Sequence, residues 1–120
     1  MVDQGLSALF EDLHQRGLWD ETVVVVMGEF GRTPRINGQA GRDHWGSCQS
    51  VVLAGGGIRG GQVIGASDRI GAYPATDPID PTDVHATLYH CMGLDPDQTM
   101  YDGLQRPHPL STGRLIRDLV

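Results

Sequence analysis

The sequence predicts an α/β fold, and three observations carry that expectation. An amphipathic pattern opens the chain, with Val2, Leu6, Leu9, Phe10 and Leu13 on one helical face. A run of valines without polar alternation, Thr22–Met27, follows it. A second helical pattern lies near residues 82–92. Helix and strand periodicities taken in turn along one chain describe helices layered on a sheet.

The first helix is expected to end near Gly17. TVVVVM then reads as a strand covered on both faces, the habit of a parallel sheet. Residues 28–48 hold Gly28, Gly31, Gly38, Gly41, Gly46 and Pro34 with little periodicity, so they form a long loop of the kind that carries function. Ser50–Ala54 predicts a second strand. The glycine run 55–61 turns the chain as a β-hairpin, and Gln62–Ala66 returns as a third strand. Pro74, Pro78 and Pro81 make 67–81 a loop. A helix starts at Thr82 or Asp83, presents Val84, Thr87, Leu88, Cys91 and Met92 on one side, and stops at Gly93. Beyond Asp95 only a short helix over 113–119 is suggested.

The 120 residues make a single domain, 1–120, at the ordinary domain size of about 100–150 residues. Two helices and three strands are too few to cover a strand on both faces. That mismatch points to the C-terminal piece of a larger α/β domain; a small, complete domain with modest burial is the alternative. The net charge of -6, with nine Arg and no Lys, argues against a nucleic-acid or anionic-membrane partner, since both need a basic face. No apolar run reaches the roughly 18–20 residues of a membrane span, and no basic stretch followed by an apolar core is visible within these residues. Cys48 and Cys91 do not form a disulfide framework.

Chemistry concentrates in the long loop. Glu29 sits just past a strand end, where α/β sheets bind ligands, and glycines flank it. A carboxylate there suits a hard cation or a base role, or it simply pairs with Arg32 three residues on. Arg32 is also a candidate anion grip, as is Arg42. At the far end of the loop Asp43 and His44 offer a carboxylate and an imidazole to a metal. If the loop closes on itself, Glu29, Asp43 and His44 converge. Gly55, Gly57 and Gly60 fit G-x-G-x-x-G, but QVIGAS after them has no helical period, which excludes a dinucleotide site. His85 and His90, five apart, cannot share an ion, and one is expected partly buried with the other on the surface. Cys91 is expected in the core, and His108 has no evident partner.

TVVVVMGEFGRTPRIN, GRDHW, SVVLAGGGIRGGQVIGASD and DVHATLYHCMGLDP together resemble the C-terminal part of a sulfatase-like family, domain of unknown function 1501, placed in the alkaline phosphatase and sulfatase superfamily. The resemblance implies an alkaline-phosphatase-like α/β/α sandwich with a mixed sheet. It implies a metal-dependent hydrolase of phosphate or sulfate esters, acting on a small anionic or sulfated substrate with a divalent metal (Zn, Mn, Ca or Mg). Glu29, His44 and Asp43 would be metal ligands, and Arg32 or Arg42 an anion clamp. Phe30 stands where the superfamily pattern has a histidine, which removes one donor. Asp83 matches a structural aspartate at the start of a late helix. The nucleophile would lie in a missing N-terminal part, since neither cysteine fits a C-x-P-x-R motif. The chain alone is then expected to be inactive, and a non-catalytic sulfatase-like scaffold is the competing reading. Members of the family are often exported.

Overall fold

The computed structural model describes residues 2–120. Helix α1 spans Val2–Gln15. The strands follow as β1 (Val23–Val26), β2 (Gly31–Arg32), β3 (His44–Trp45), β4 (Val52–Gly55), β5 (Ala66–Ser67) and β6 (Pro74–Thr76). Helix α2 (Pro81–Cys91) then precedes β7 (Thr99–Tyr101) and β8 (Pro107–Pro109). The fold is mixed α/β, as the periodicities predict.

Both helices end the same way. Gly17 and Gly93 take positive φ of 69° and 76°. Each lets the next two N–H groups bond back into the last turn: Gly17 to His14 and Leu18 to Leu13, Gly93 to His90 and Leu94 to Tyr89. This pair of bonds closes a helix around a left-handed residue. After α1, a single 3-10 turn, Trp19–Glu21, folds back so that Trp19 stacks on His14 at 4.1 Å and meets the Phe10 edge at 5.2 Å.

The expected sheet is corrected in two respects. Strand β1 pairs antiparallel with β4, from Val23↔Gly55 to Val26↔Val52, and all four described pairings are separate antiparallel pairs rather than one mixed sheet. Val23–Val26 are half-buried, not covered on both faces, because among the described residues β4 is their one strand neighbour. The hairpin expected at 55–61 does not form. Gly55, Gly56 and Gly57 all take positive φ and swing the chain away, so 62–65 never return along β4. Ala66–Ser67 instead pair with Pro74–Thr76, inside the segment expected to be loop.

Helix α2 starts earlier than Thr82, with Asp80 as its N-cap and Pro81 at its first position, where a missing N–H costs nothing. Val84, Ala86 and Thr87 are buried, while His85 and His90 are both exposed, so neither is the partly buried histidine expected. Cys91 is partly buried, and burial pushes its thiol up from the ordinary value. Residues 113–119 are not helical. The stretch 111–116 is strapped across the first turns of α2: Ser111 Oγ donates to the Thr82 carbonyl, Arg114 N–H to Asp83 (2.7 Å) and Ile116 N–H to Thr87 Oγ1 (3.1 Å). The β7–β8 hairpin was not expected, and it gives His108 a partner: its Nε2 lies 3.3 Å from Asp102 Oδ2.

Asp83 is the node of that strap. Its carboxylate is 6% exposed and also accepts the Asp80 N–H at 3.1 Å. Burial pushes the Asp83 carboxyl up. The N–H donors of Arg114 and Asp80, with the Arg114 guanidinium, outweigh burial and hold it below the ordinary carboxylate range. The core is otherwise sparse. Leu13, Ala72, Val84 and Ala86 are its buried apolar residues, and Val2, Val63 and Leu104 are more than two-thirds exposed. The radius of gyration is 17.1 Å, against the about 14 Å of a compact domain this long.

Two outcomes follow. At Gly113 a Cβ would run into the Thr82 carbonyl, so Gly113→Ala is expected to lift the strap and cost about 1–3 kcal/mol in urea unfolding. Asp83→Asn should cost about 1–3 kcal/mol at pH 7, because two backbone donors lose the charge of a buried acceptor. The Asp83 carboxyl has a lower folded than unfolded pKa, so its stabilisation is present above about pH 4 and is lost as pH falls through the folded value. Urea midpoints of parent and variant should therefore converge in acid, and a gap independent of pH would refute the assignment.

Candidate functional site

The long loop leaves the sheet after Val26 and returns at Val52, its partner on the same rung. Within it β2 and β3 pair antiparallel, with Gly31 opposite Trp45 and Arg32 opposite His44. The loop therefore closes on itself, the condition on which convergence of its two ends depends. Gly31 makes the closure possible: a Cβ there would overlap the Cys48 carbonyl and crowd that of Trp45.

The tip of the hairpin is held by polar side chains. Asn37 Oδ1 accepts the N–H groups of Gln39 and Gly41, both at 3.0 Å, and Asn37 Nδ2 donates to Asp43 Oδ1 at 2.9 Å. Thr33 N–H donates to the Asp43 carbonyl, and Asp43 N–H to Thr33 Oγ1. Arg42 Nη1 donates to the carbonyls of Thr33 and Pro34 at 2.7 and 2.6 Å, so its guanidinium braces the loop. The base of the hairpin is tied to the β5–β6 loop through Trp45. Its Nε1 donates to the Ala72 carbonyl at 2.6 Å, and its ring meets Tyr73 edge-on at 5.5 Å.

One face of the hairpin carries three functional groups. The Phe30 ring lies against the His44 imidazole, centroids 4.0 Å apart, and the Arg32 guanidinium sits over the Phe30 ring at 5.5 Å. Arg32 and His44 are directly cross-strand and both exposed. Opposed side chains of this kind have Cβ atoms about 5 Å apart. An exposed guanidinium on such a face can grip an oxyanion through parallel N–H donors. Glu29 is exposed, two residues before the first paired position.

The structure brings Arg32 and His44 together, and with them Phe30. It engages Asp43 with Asn37. Among the described residues no group of three or more His, Cys, Asp or Glu side chains is placed to hold a metal ion. Glu29, Asp43 and His44 therefore do not fit a divalent metal by themselves. The bracing roles of Thr33 and Asn37 went unread in sequence. The Asn37-Gly38 turn dipeptide signals the tip, whereas Trp45 and Ala72 are too far apart in the chain for any local pattern to link them.

The family model described as "Protein of unknown function (DUF1501)" matches residues 1–120. The chain belongs to the DUF1501 family. No curated protein and no solved structure matches it. No described helix of this DUF1501 chain is long and apolar enough to cross a membrane.

The anchoring geometry is open to test. Trp45→Phe keeps the ring but loses the bond to Ala72, and should lower stability by about 0.5–1.5 kcal/mol in urea unfolding. The Phe30–His44 contact should loosen with it, read as loss of ring-to-ring NOEs. Gly31→Ala should abolish those NOEs outright while leaving the amide protection of α2 intact; NOEs that survive would show that the hairpin does not depend on that close approach.

Proposed function

We propose that this DUF1501 chain is the C-terminal portion of a phosphate or sulfate ester hydrolase-like domain of alkaline phosphatase and sulfatase type, with the β2–β3 hairpin as the anion-facing wall of its site. The observation that carries the reading is the cross-strand placement of Arg32 and His44 in the loop that leaves the end of β1, the loop that also carries the exposed Glu29. In this reading Arg32 binds a non-bridging oxygen of a small anionic or sulfated ester. Arg42 positions the loop that presents it. Glu29, His44 and Asp43 would supply at most part of a divalent-metal ligand set, and the remaining donors and the nucleophile would come from an N-terminal part of the same domain. The half-buried valine strand and the sparse core support such a covering partner.

A second reading, a non-catalytic sulfatase-like scaffold for binding or assembly, is favoured by one contact: Phe30 fills the space against His44 where another imidazole donor would have to stand.

The chain alone should hydrolyse neither aryl phosphate nor aryl sulfate, with or without Zn, Mn, Ca or Mg. In the full-length protein, Glu29→Gln and His44→Ala should lower bound metal measured by elemental analysis. Arg32→Ala should raise KM for an anionic ester at least about tenfold, since a charge-assisted bond contributes about 1.5–3 kcal/mol. Retained metal in both ligand variants would sink the metal assignment. A full-length protein that binds sulfate through Arg32 without turning over any ester would select the scaffold reading.

A further inference from the structure

We infer that the outer edge of β7 pairs antiparallel with β7 of a second copy of this chain, about a two-fold axis through Met100. The inference stands apart from the hydrolase reading and uses none of its residues.

The hydrogen-bond parity of the β7–β8 ribbon carries the argument. Pairing runs Thr99↔Pro109, Met100↔His108 and Tyr101↔Pro107. The flanking bonds, Leu110 N–H to the Gln98 carbonyl and Asp102 N–H to the Arg106 carbonyl, mark residues 98 and 102 as bonded positions. Bonded and non-bonded pairs alternate in an antiparallel ladder, so Met100 bonds inward to His108, and the N–H and C=O groups of Thr99 and Tyr101 point away from β8. All three β7 residues are exposed, Met100 at 52% and Tyr101 at 65%. Such an edge is a template for another strand.

The two edges of the ribbon are unequal. By the same parity Pro107 and Pro109 face outward on β8, and proline has no N–H to offer. Growth is blocked on that side and open on β7. The open edge is also complementary to itself. Turned about Met100, Thr99 of one copy faces Tyr101 of the other, twice, and each such pair exchanges two N–H···O=C bonds. Methionine meets methionine on one face of the sheet, and threonine packs beside tyrosine on the other. Asp97 of one copy falls opposite Gly103 of the other rather than opposite a carboxylate. The Asp102 carboxylate is turned into its own hairpin, where it accepts from the backbone N–H of Leu104 and Arg106, from Arg106 Nε at 2.7 Å and from His108. The result is a four-stranded sheet with proline on both outer edges, which stops at two copies. Three or more strands are far more stable than an isolated ribbon, which favours the pairing. The edge is only three residues long, so the dimer belongs to the weak, concentration-dependent class of interfaces.

The test is amide exchange by NMR beside sedimentation velocity on the 120-residue chain, across a dilution series from millimolar to low micromolar. The Thr99 and Tyr101 amides are expected to exchange at least about tenfold more slowly at the concentrated end, in step with a dimer, while Met100 stays equally protected throughout. Met100→Lys sets like charges against each other at the axis and should give a monomer at every concentration with Met100-position protection retained. Tyr101→Pro removes an outward N–H and should do the same. Exchange at Thr99 and Tyr101 that does not depend on concentration would overturn the inference, as would a dimer that persists in Met100→Lys.

Discussion

One rung of the sheet governs the candidate site. Val26 is the last residue of β1, Val52 the first of β4, and the two are partners. Everything between them must therefore leave and return at a single point. With both ends of the loop pinned together, the entropic cost of bringing Arg32 beside His44 is already largely met by the β1–β4 ladder. The four-valine strand thus acts at a distance. It contributes no functional group, yet its register decides that the beginning and the end of the glycine-rich loop share one place.

Inside that loop, backbone hydrogen bonds decide which side chains are spent and which stay available. Arg42 and Asp43 have the chemistry of ligands, but both are drawn into closing the hairpin, Arg42 on two carbonyls and Asp43 on Asn37. Arg32 and His44 lie at paired strand positions, where the backbone satisfies itself and the side chains are left to the outer face. Phe30 completes the arrangement by covering one side of the imidazole. A ring there limits His44 to what its exposed edge can reach.

Much of this was legible in the sequence where the causes are local. Gly17 and Gly93 end helices because each supplies a left-handed residue just past an apolar stripe. The span 28–48 was legible as one long loop, whereas its closure follows from the antiparallel pairing of the strands that flank it. Three things were not legible. The direction of the valine strand failed because an all-apolar run reports burial, not which neighbour it pairs with, and β4 runs antiparallel to it. The turn at 55–61 failed because three successive positive-φ glycines redirect the chain rather than reverse it. The β7–β8 ribbon failed because Pro107 and Pro109 speak against a strand unless it lies at an edge, which cannot be known before the sheet is.

The three short hairpins share one further device that explains how so sparse a core keeps definite turns. Asn37 accepts from the N–H groups of residues 39 and 41, Asp68 from those of 70 and 72, and Asp102 from those of 104 and 106. In each, one Asn or Asp oxygen takes the donors two and four residues on, inside the loop of a hairpin. These groups would otherwise be turned toward the loop interior without partners, so the side chain replaces the ladder where the ladder must break. Because the device is complete within five residues, it works without a packed interior behind it. The loops of this chain are therefore set by short-range polar bonds rather than by its few buried apolar residues. The Arg32–His44 face accordingly belongs to a hairpin whose tip is tied by Asn37, Thr33 and Arg42.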